Sequence, residues 1–319
     1  MKKIFTVLVI ISMILTFTAC NNNPPKKTSK DFLGGEEGVV PLFIQGSPPE
    51  TVRAGGDDPF SVVVRLDNRG EAEVPKEKVV VSLTGFDPYE FGTTPEALSK
   101  HPDEDLIANK LDPDTKAKIP SSPVEVAFDL NYVKQIQGAN HEFPIDANIC
   151  YSYTTLANAE LCIKKKLTDT TDKKVCEVIG PKVISHSGGP VFAAEFSEAS
   201  AGKNSVRFTF KVKQTTTNTG TVYKINSVCN HNMSDENKVW VKVSTGIPGL
   251  SCPGLTDQNL DRSVASGTIK LIEGIKDLSC TQTLTTQYLR DQIKIINIEM
   301  KYDYFDYATK KVNVLQTPQ

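Results

Sequence analysis

Residues 296–304, INIEMKYDY, alternate apolar and polar side chains without a break. Ile296, Ile298, Met300, Tyr302 and Tyr304 fall on one side, and Asn297, Glu299, Lys301 and Asp303 on the other. Successive side chains of an extended chain point to opposite faces, so this period of two predicts a half-buried strand and not a helix of 3.6-residue period. The pattern recurs outward along the chain. Val124, Val126, Phe128, Leu130 and Tyr132 alternate with Glu125, Ala127, Asp129 and Asn131. Phe60 to Asp67, Val79 to Leu83, Ile145 to Tyr153, Val206 to Lys213 and Val239 to Val243 repeat it, and Val39 to Gln45 reads as a first strand. Short strands separated by Gly, Pro, Asn and Asp turns predict an all-β protein of two tandem immunoglobulin-like β-sandwich domains.

The predicted domains are 38–168 and 175–319, because the Lys/Thr/Asp run from Lys164 to Lys174 has no apolar face. Residues 93–120 are polar and read as a long excursion from the first domain, with short helical turns at Pro95–Ser99 and Asp103–Lys110. Long loops on a sandwich are common binding sites. In the second domain a turn is predicted near Ala308 and Thr309, with Val312 and Val314 returning as a new strand.

Lys2 and Lys3 precede an apolar run from Ile4 to Ala19, too short for the ~20 residues that cross a bilayer as a helix. Residues 1–19 therefore read as a signal peptide. Small residues before Cys20 are similar to a lipobox, with Phe17 where leucine is usual, which makes Cys20 the expected site of lipid attachment and the mature N-terminus. Residues 20–37 are rich in Asn, Pro, Lys and Gly and read as a flexible, lipid-anchored tether. The chain is thus expected on the extracellular face of the cytoplasmic membrane.

Of the 7 cysteines, those other than Cys20 are Cys150, Cys162, Cys176, Cys229, Cys252 and Cys280. An even set in an exported chain predicts disulfides. A hairpin between Ile145–Thr154 and Glu160–Lys164 would set Cys150 opposite Cys162, the favoured pair. Removing Lys2 and Lys3 with the signal peptide takes the formal charge from −2 to −4, with both signs interspersed. Nucleic acid is not an expected partner, since it selects concentrated basic surface.

The segment Pro59–Val74, PFSVVVRLDNRGEAEV, resembles the second strand and turn of CARDB-like domains, immunoglobulin-like modules of archaeal and bacterial cell surfaces. The chain as a whole is similar to secreted lipoproteins of small-genome archaea. That resemblance implies a surface-exposed structural or adhesive role and carries no catalytic residues. Asn68 and Gly70 read as turn residues tolerant of positive φ.

No G-x-S-x-G occurs, and Phe143-Pro144 breaks any metalloprotease helix after His141-Glu142. His101, His141, His186 and His231 read as surface residues, and His186-Ser187-Gly188-Gly189 as a loop. Asp57/Asp58, Asp103/Glu104/Asp105 and Asp112/Asp114 lack EF-hand spacing, and no cofactor or metal is expected. Phe305 and Tyr307 lie opposite Tyr302 and Tyr304, and Asn232-Met233-Ser234 is a glycosylation sequon at Asn232. The function expected is contact without catalysis, with another envelope protein or surface polymer as partner. The alternative is an exported enzyme or a solute- or glycan-binding subunit with a loop-built site between the domains.

Overall fold

The computed structural model describes residues 32–168, 175–216 and 220–317. The signal peptide, Cys20 and the tether as far as Asp31 lie outside the described residues. The all-β expectation holds: sheets of ten, five, three and two strands account for the body, and the only helical elements among the described residues are short 3-10 turns.

Two strands of 24 residues each, Asn140–Ile163 and Gln292–Leu315, form the spine. They pair antiparallel from Gln292↔Ile163 to Leu315↔Asn140, and at ~3.3 Å per residue each runs about 80 Å. Val79–Thr84 and Ile184–His186 pair with the first spine strand. Lys238–Ser244 and Thr221–Tyr223 pair with the second, and Thr51–Arg53 joins it in parallel. Val264–Lys270 continues the sheet beyond Lys238–Ser244. On the inner face lie two smaller sheets. The three-stranded one packs on both spine strands through Val39–Phe43, and the five-stranded one through Val191–Ser200. One continuous hydrophobic core links them all.

Both turns expected within the spine are absent. The first spine strand keeps its inward residues at odd numbers from Ile145 through Tyr153, Thr155, Ala157 and Ala159 to Leu161, all buried. The small inward residues Thr155, Ala157 and Ala159 are buried within the continuous strand. The second keeps even parity from Ile296 to Val314 straight through Ala308 and Thr309. Because one spine strand comes from each half of the chain, the sheets do not divide at 164–174.

The favoured Cys150–Cys162 disulfide is therefore overturned: both residues lie on one extended strand, about 40 Å apart by strand rise. The pairs are Cys150–Cys229, Cys162–Cys176 and Cys252–Cys280. All six expected cysteines are oxidised, which suits an oxidising, extracellular environment. Cys150–Cys229 holds the 224–237 loop over the outer face of the spine, where Asp303 accepts from Val228 N (2.8 Å), Ser227 Oγ (3.3 Å) and Ser152 Oγ (2.7 Å). That cover is why Asp303, on the outward register, is buried.

The 93–120 excursion is partly core. Glu96–Leu98 is a 3-10 turn, but Asp103–Lys110 is not helical: Leu106 is buried and bridges Val74 in strand fashion. Lys110–Leu111 and Lys118–Ile119 pair as a small, largely exposed hairpin. At its tip the Thr115 and Asp114 amides hold the Asp112 carboxyl below its usual value.

Candidate functional site

At mid-spine the inner face carries four fully buried tyrosines. Tyr153 pairs with Tyr302 and Tyr151 with Tyr304. Burial pushes Tyr151, Tyr153 and Tyr302 well above the ordinary phenol range, so they stay neutral donors and acceptors. Tyr151 Oη accepts from Val39 N (3.1 Å) in the three-stranded sheet, whereas Tyr302 Oη accepts from Val191 N (3.2 Å) in the five-stranded sheet. Tyr153 Oη accepts from Ala72 N (3.2 Å) and donates to Gly188 O (3.3 Å). This waist is where the two front sheets meet the spine.

Glycine is required over these rings by close approach. A Cβ on Gly70 would lie 1.9 Å from Tyr153 Oη, and one on Gly220 2.4 Å from Tyr304 Oη. Gly70 has no positive φ, and neither has Asn68. The turn is made without positive φ: Asn68 is buried at the end of its strand, its Oδ1 accepts from Gly70 N two residues on, and its Nδ2 donates to Ala72 O and Leu106 O.

The same waist receives the N-terminal segment. Residues 32–37, part of the stretch read as tether, are held to the body. The Glu71 carboxylate accepts from Leu33 N, Gly34 N and Gly188 N at 2.9–3.0 Å, drawing the N-terminal segment and the 187–189 turn together. Glu36 accepts from Thr215 Oγ1 (3.1 Å), and Glu37 pairs with Arg69 (2.9 Å).

On the opposite face of the same strands lies an open groove of about 520 Å³, lined by Phe32, Leu156, Asn158, Lys242, Ser244, Val264, Asn297 and Glu299 among others. Its floor is two cross-strand rows fixed by register. One is Asn158, Asn297, Ser244 and Val264; the other is Leu156, Glu299 and Lys242. Lys301 (2.8 Å) and Lys242 (3.4 Å) share the Glu299 carboxylate, and Lys301 also sits 5.3 Å from the Trp240 ring centroid. Burial raises the Glu299 pKa, but the two lysines more than offset it, so the carboxyl stays ionised below its ordinary value. Leu156, 45% exposed, supplies an apolar wall.

The residues singled out in the sequence lie elsewhere. His101 Nδ1 contacts Val79 O, His141 packs on Phe143, His186 stacks on Phe192, and His231 contacts Tyr223 and Phe305. His186 and Ser187 form no nucleophile and base pair, because the Ser187 hydroxyl accepts from Leu156 N while His186 Nδ1 faces Ser187 O. Asp58 accepts from Arg53 N and Asp105 from Lys76 N. Among the described residues no three His, Cys, Asp or Glu gather as a metal group. Tyr307 is exposed, Phe305 is half-buried, and Asn232 lies in the exposed loop tied by Cys229. Of the groove residues, Asn297 and Glu299 are legible as the outward register of INIEMKYDY and Lys242 as that of Val239–Val243, but local pattern does not say which strands become neighbours. No family model matches the chain, and no curated protein matches it.

Proposed function

We propose that the protein is a lipid-anchored, extracellular contact module that binds an envelope component on the open face of its long sheet, without catalysis. The observation that carries this reading is the placement of the groove. Phe32, the first described residue after the stretch leading from Cys20, lines it directly. With a lipid on Cys20, the residues up to Asp31 reach at most about 40 Å, so the groove would work within that distance of the membrane. Its floor lies on paired strands tied to two front sheets, which suits a preformed docking surface better than a loop-built one.

The CARDB-like resemblance of Pro59–Val74 supports the same class of role, as part of this proposal. Asn297→Arg would place a long cation on the groove floor. It is expected to abolish attachment to envelope material while leaving thermal unfolding unchanged, and Cys20→Ser is expected to release the protein from membranes. Envelope attachment equal to wild type in Asn297→Arg would reject the groove as the contact face.

A further inference from the structure

Resting on that reading, we infer that the groove takes an uncharged polyhydroxyl chain, a neutral segment of a surface glycan. The inference begins from which groove groups are already satisfied. The charged groups beside it are already engaged, since Lys242 and Lys301 share the Glu299 carboxylate, which leaves the cluster one net positive charge. A cation would compete with both lysines for that carboxylate, and an anion would meet lysines already engaged and exposed, where an added ion pair contributes little.

The neighbouring row is the reverse. The side chains of Asn158, Asn297 and Ser244 have no hydrogen-bond partner among the described residues, although they stand side by side on three adjacent strands. At ~4.8 Å between strands the row spans roughly 10 Å, about the span of two linked sugar rings. Each amide offers two donors and an acceptor, and Ser244 adds a hydroxyl. Such neutral groups complement vicinal hydroxyls, which also both donate and accept. The row ends at Val264 and is flanked by Leu156 and Phe32, apolar surfaces suited to the C–H faces of sugar rings. A peptide strand adding to a sheet would need an open backbone edge, whereas this groove crosses the sheet face where Asn158, Asn297 and Ser244 have strand neighbours on both sides.

The test uses the full-length protein in mild detergent against immobilised neutral oligosaccharides (mannan, dextran and chitin fragments), with uronic-acid polymers and acidic and basic peptides alongside. Expected is binding to at least one neutral glycan that changes less than about twofold between ~50 and ~500 mM salt, where charge-driven contacts are screened. Asn158→Ala/Asn297→Ala should weaken it at least tenfold, with an unchanged circular dichroism spectrum. Four results would overturn the inference: no neutral glycan bound, binding indifferent to the double variant, preference for a charged polymer or peptide with steep salt dependence, or self-association through this face. If Asn297→Arg still loses envelope attachment while every neutral glycan fails, the contact reading survives and the neutral-glycan inference falls.

Discussion

The two faces of the spine use polar groups in opposite ways. Inward, the hydroxyls of Tyr151 and Tyr302 are taken by backbone amides of the two front sheets and that of Tyr153 by backbone groups of the connecting turns, and glycines let the chain approach the rings. Outward, Asn158, Asn297 and Ser244 carry equal hydrogen-bonding capacity with nothing to receive it. A buried polar group left unpaired costs roughly 1–3 kcal/mol, so the inner face had to be completed by the fold itself. The outer face pays no such penalty in water and can wait for a partner. Substitutions on the inner face should therefore read out as stability, and those on the outer face as binding.

The hardest test of the inner face is Gly70→Val. With its Cβ 1.9 Å from Tyr153 Oη, backbone or ring must move, and a loss on the order of 3–5 kcal/mol is expected in denaturant unfolding. Adding Tyr153→Phe should recover part of that loss, although Phe alone should cost about 1–3 kcal/mol by orphaning Ala72 N. Additive losses in the double variant, the Gly70→Val loss plus the Tyr153→Phe loss, would mean that the close approach is not the cause.

Disulfide removal ranks next and should follow loop length. Chain-entropy reasoning gives about 4.5 kcal/mol for Cys150–Cys229, separated by 79 residues, against about 3 kcal/mol for Cys162–Cys176, separated by 14. Paired Cys→Ser variants compared at one pH decide it. The first should also expose Asp303 by freeing the loop that covers it.

How much of this was legible in the sequence turns on parity. Residue-by-residue alternation fixed which side chains face inward on both spine strands, and the inward set from Ile145 to Leu161 is odd-numbered throughout. That unbroken parity is the signal against a turn at 155–159 or at Ala308. The expected hairpin at 155–159 and the expected turn near Ala308 and Thr309 instead split each strand in two. The disulfide error followed from that split, since a hairpin brings Cys150 and Cys162 together and a straight strand holds them apart. The groove was not legible for another reason. Asn158, Asn297 and Ser244 are far apart in sequence, and nothing in local pattern says that their strands pair. The clasp of Leu33 and Gly34 on Glu71 is hidden likewise, because its donors are backbone amides that have no residue signature.

A third test bears on the edge of the inner face. Glu198 is 2% exposed, accepts from Cys162 N (2.9 Å), and leaves Oε1 buried without a partner among the described residues. Burial pushes its pKa up to about 8, against the opposing pull of the Cys162 amide and Lys182. An acid whose folded pKa is raised favours the fold when protonated. Its contribution is therefore full below the unfolded value near 4.5 and is lost as pH rises toward 8, at no more than about 1.4 kcal/mol per pH unit. Glu198→Gln should remove that slope and stabilise the protein at pH ~9 by on the order of 2–3 kcal/mol, after water penetration trims the penalty. Parallel pH profiles for the variant and the wild type would show that Glu198 is not the group responsible.

The smallest effect expected on stability is also the one that separates the faces most cleanly. Glu71→Gln keeps the shape of the side chain but removes the charge that strengthens three backbone hydrogen bonds, from Leu33, Gly34 and Gly188. Leu33 and Gly34 belong to a short terminal segment held to Glu71 through backbone amides, so global unfolding should shift by about 1 kcal/mol or less. Amide hydrogen exchange should tell a different story. Leu33 and Gly34 should lose protection, while Val39, held by Tyr151 Oη inside the core, should keep it. Because Phe32 lines the groove, loosening its neighbours should also weaken whatever binds there, without touching Asn158 or Asn297. Faster exchange with unchanged binding would show that the clasp serves the waist alone. Slower binding together with faster exchange would join the two faces through a single N-terminal segment.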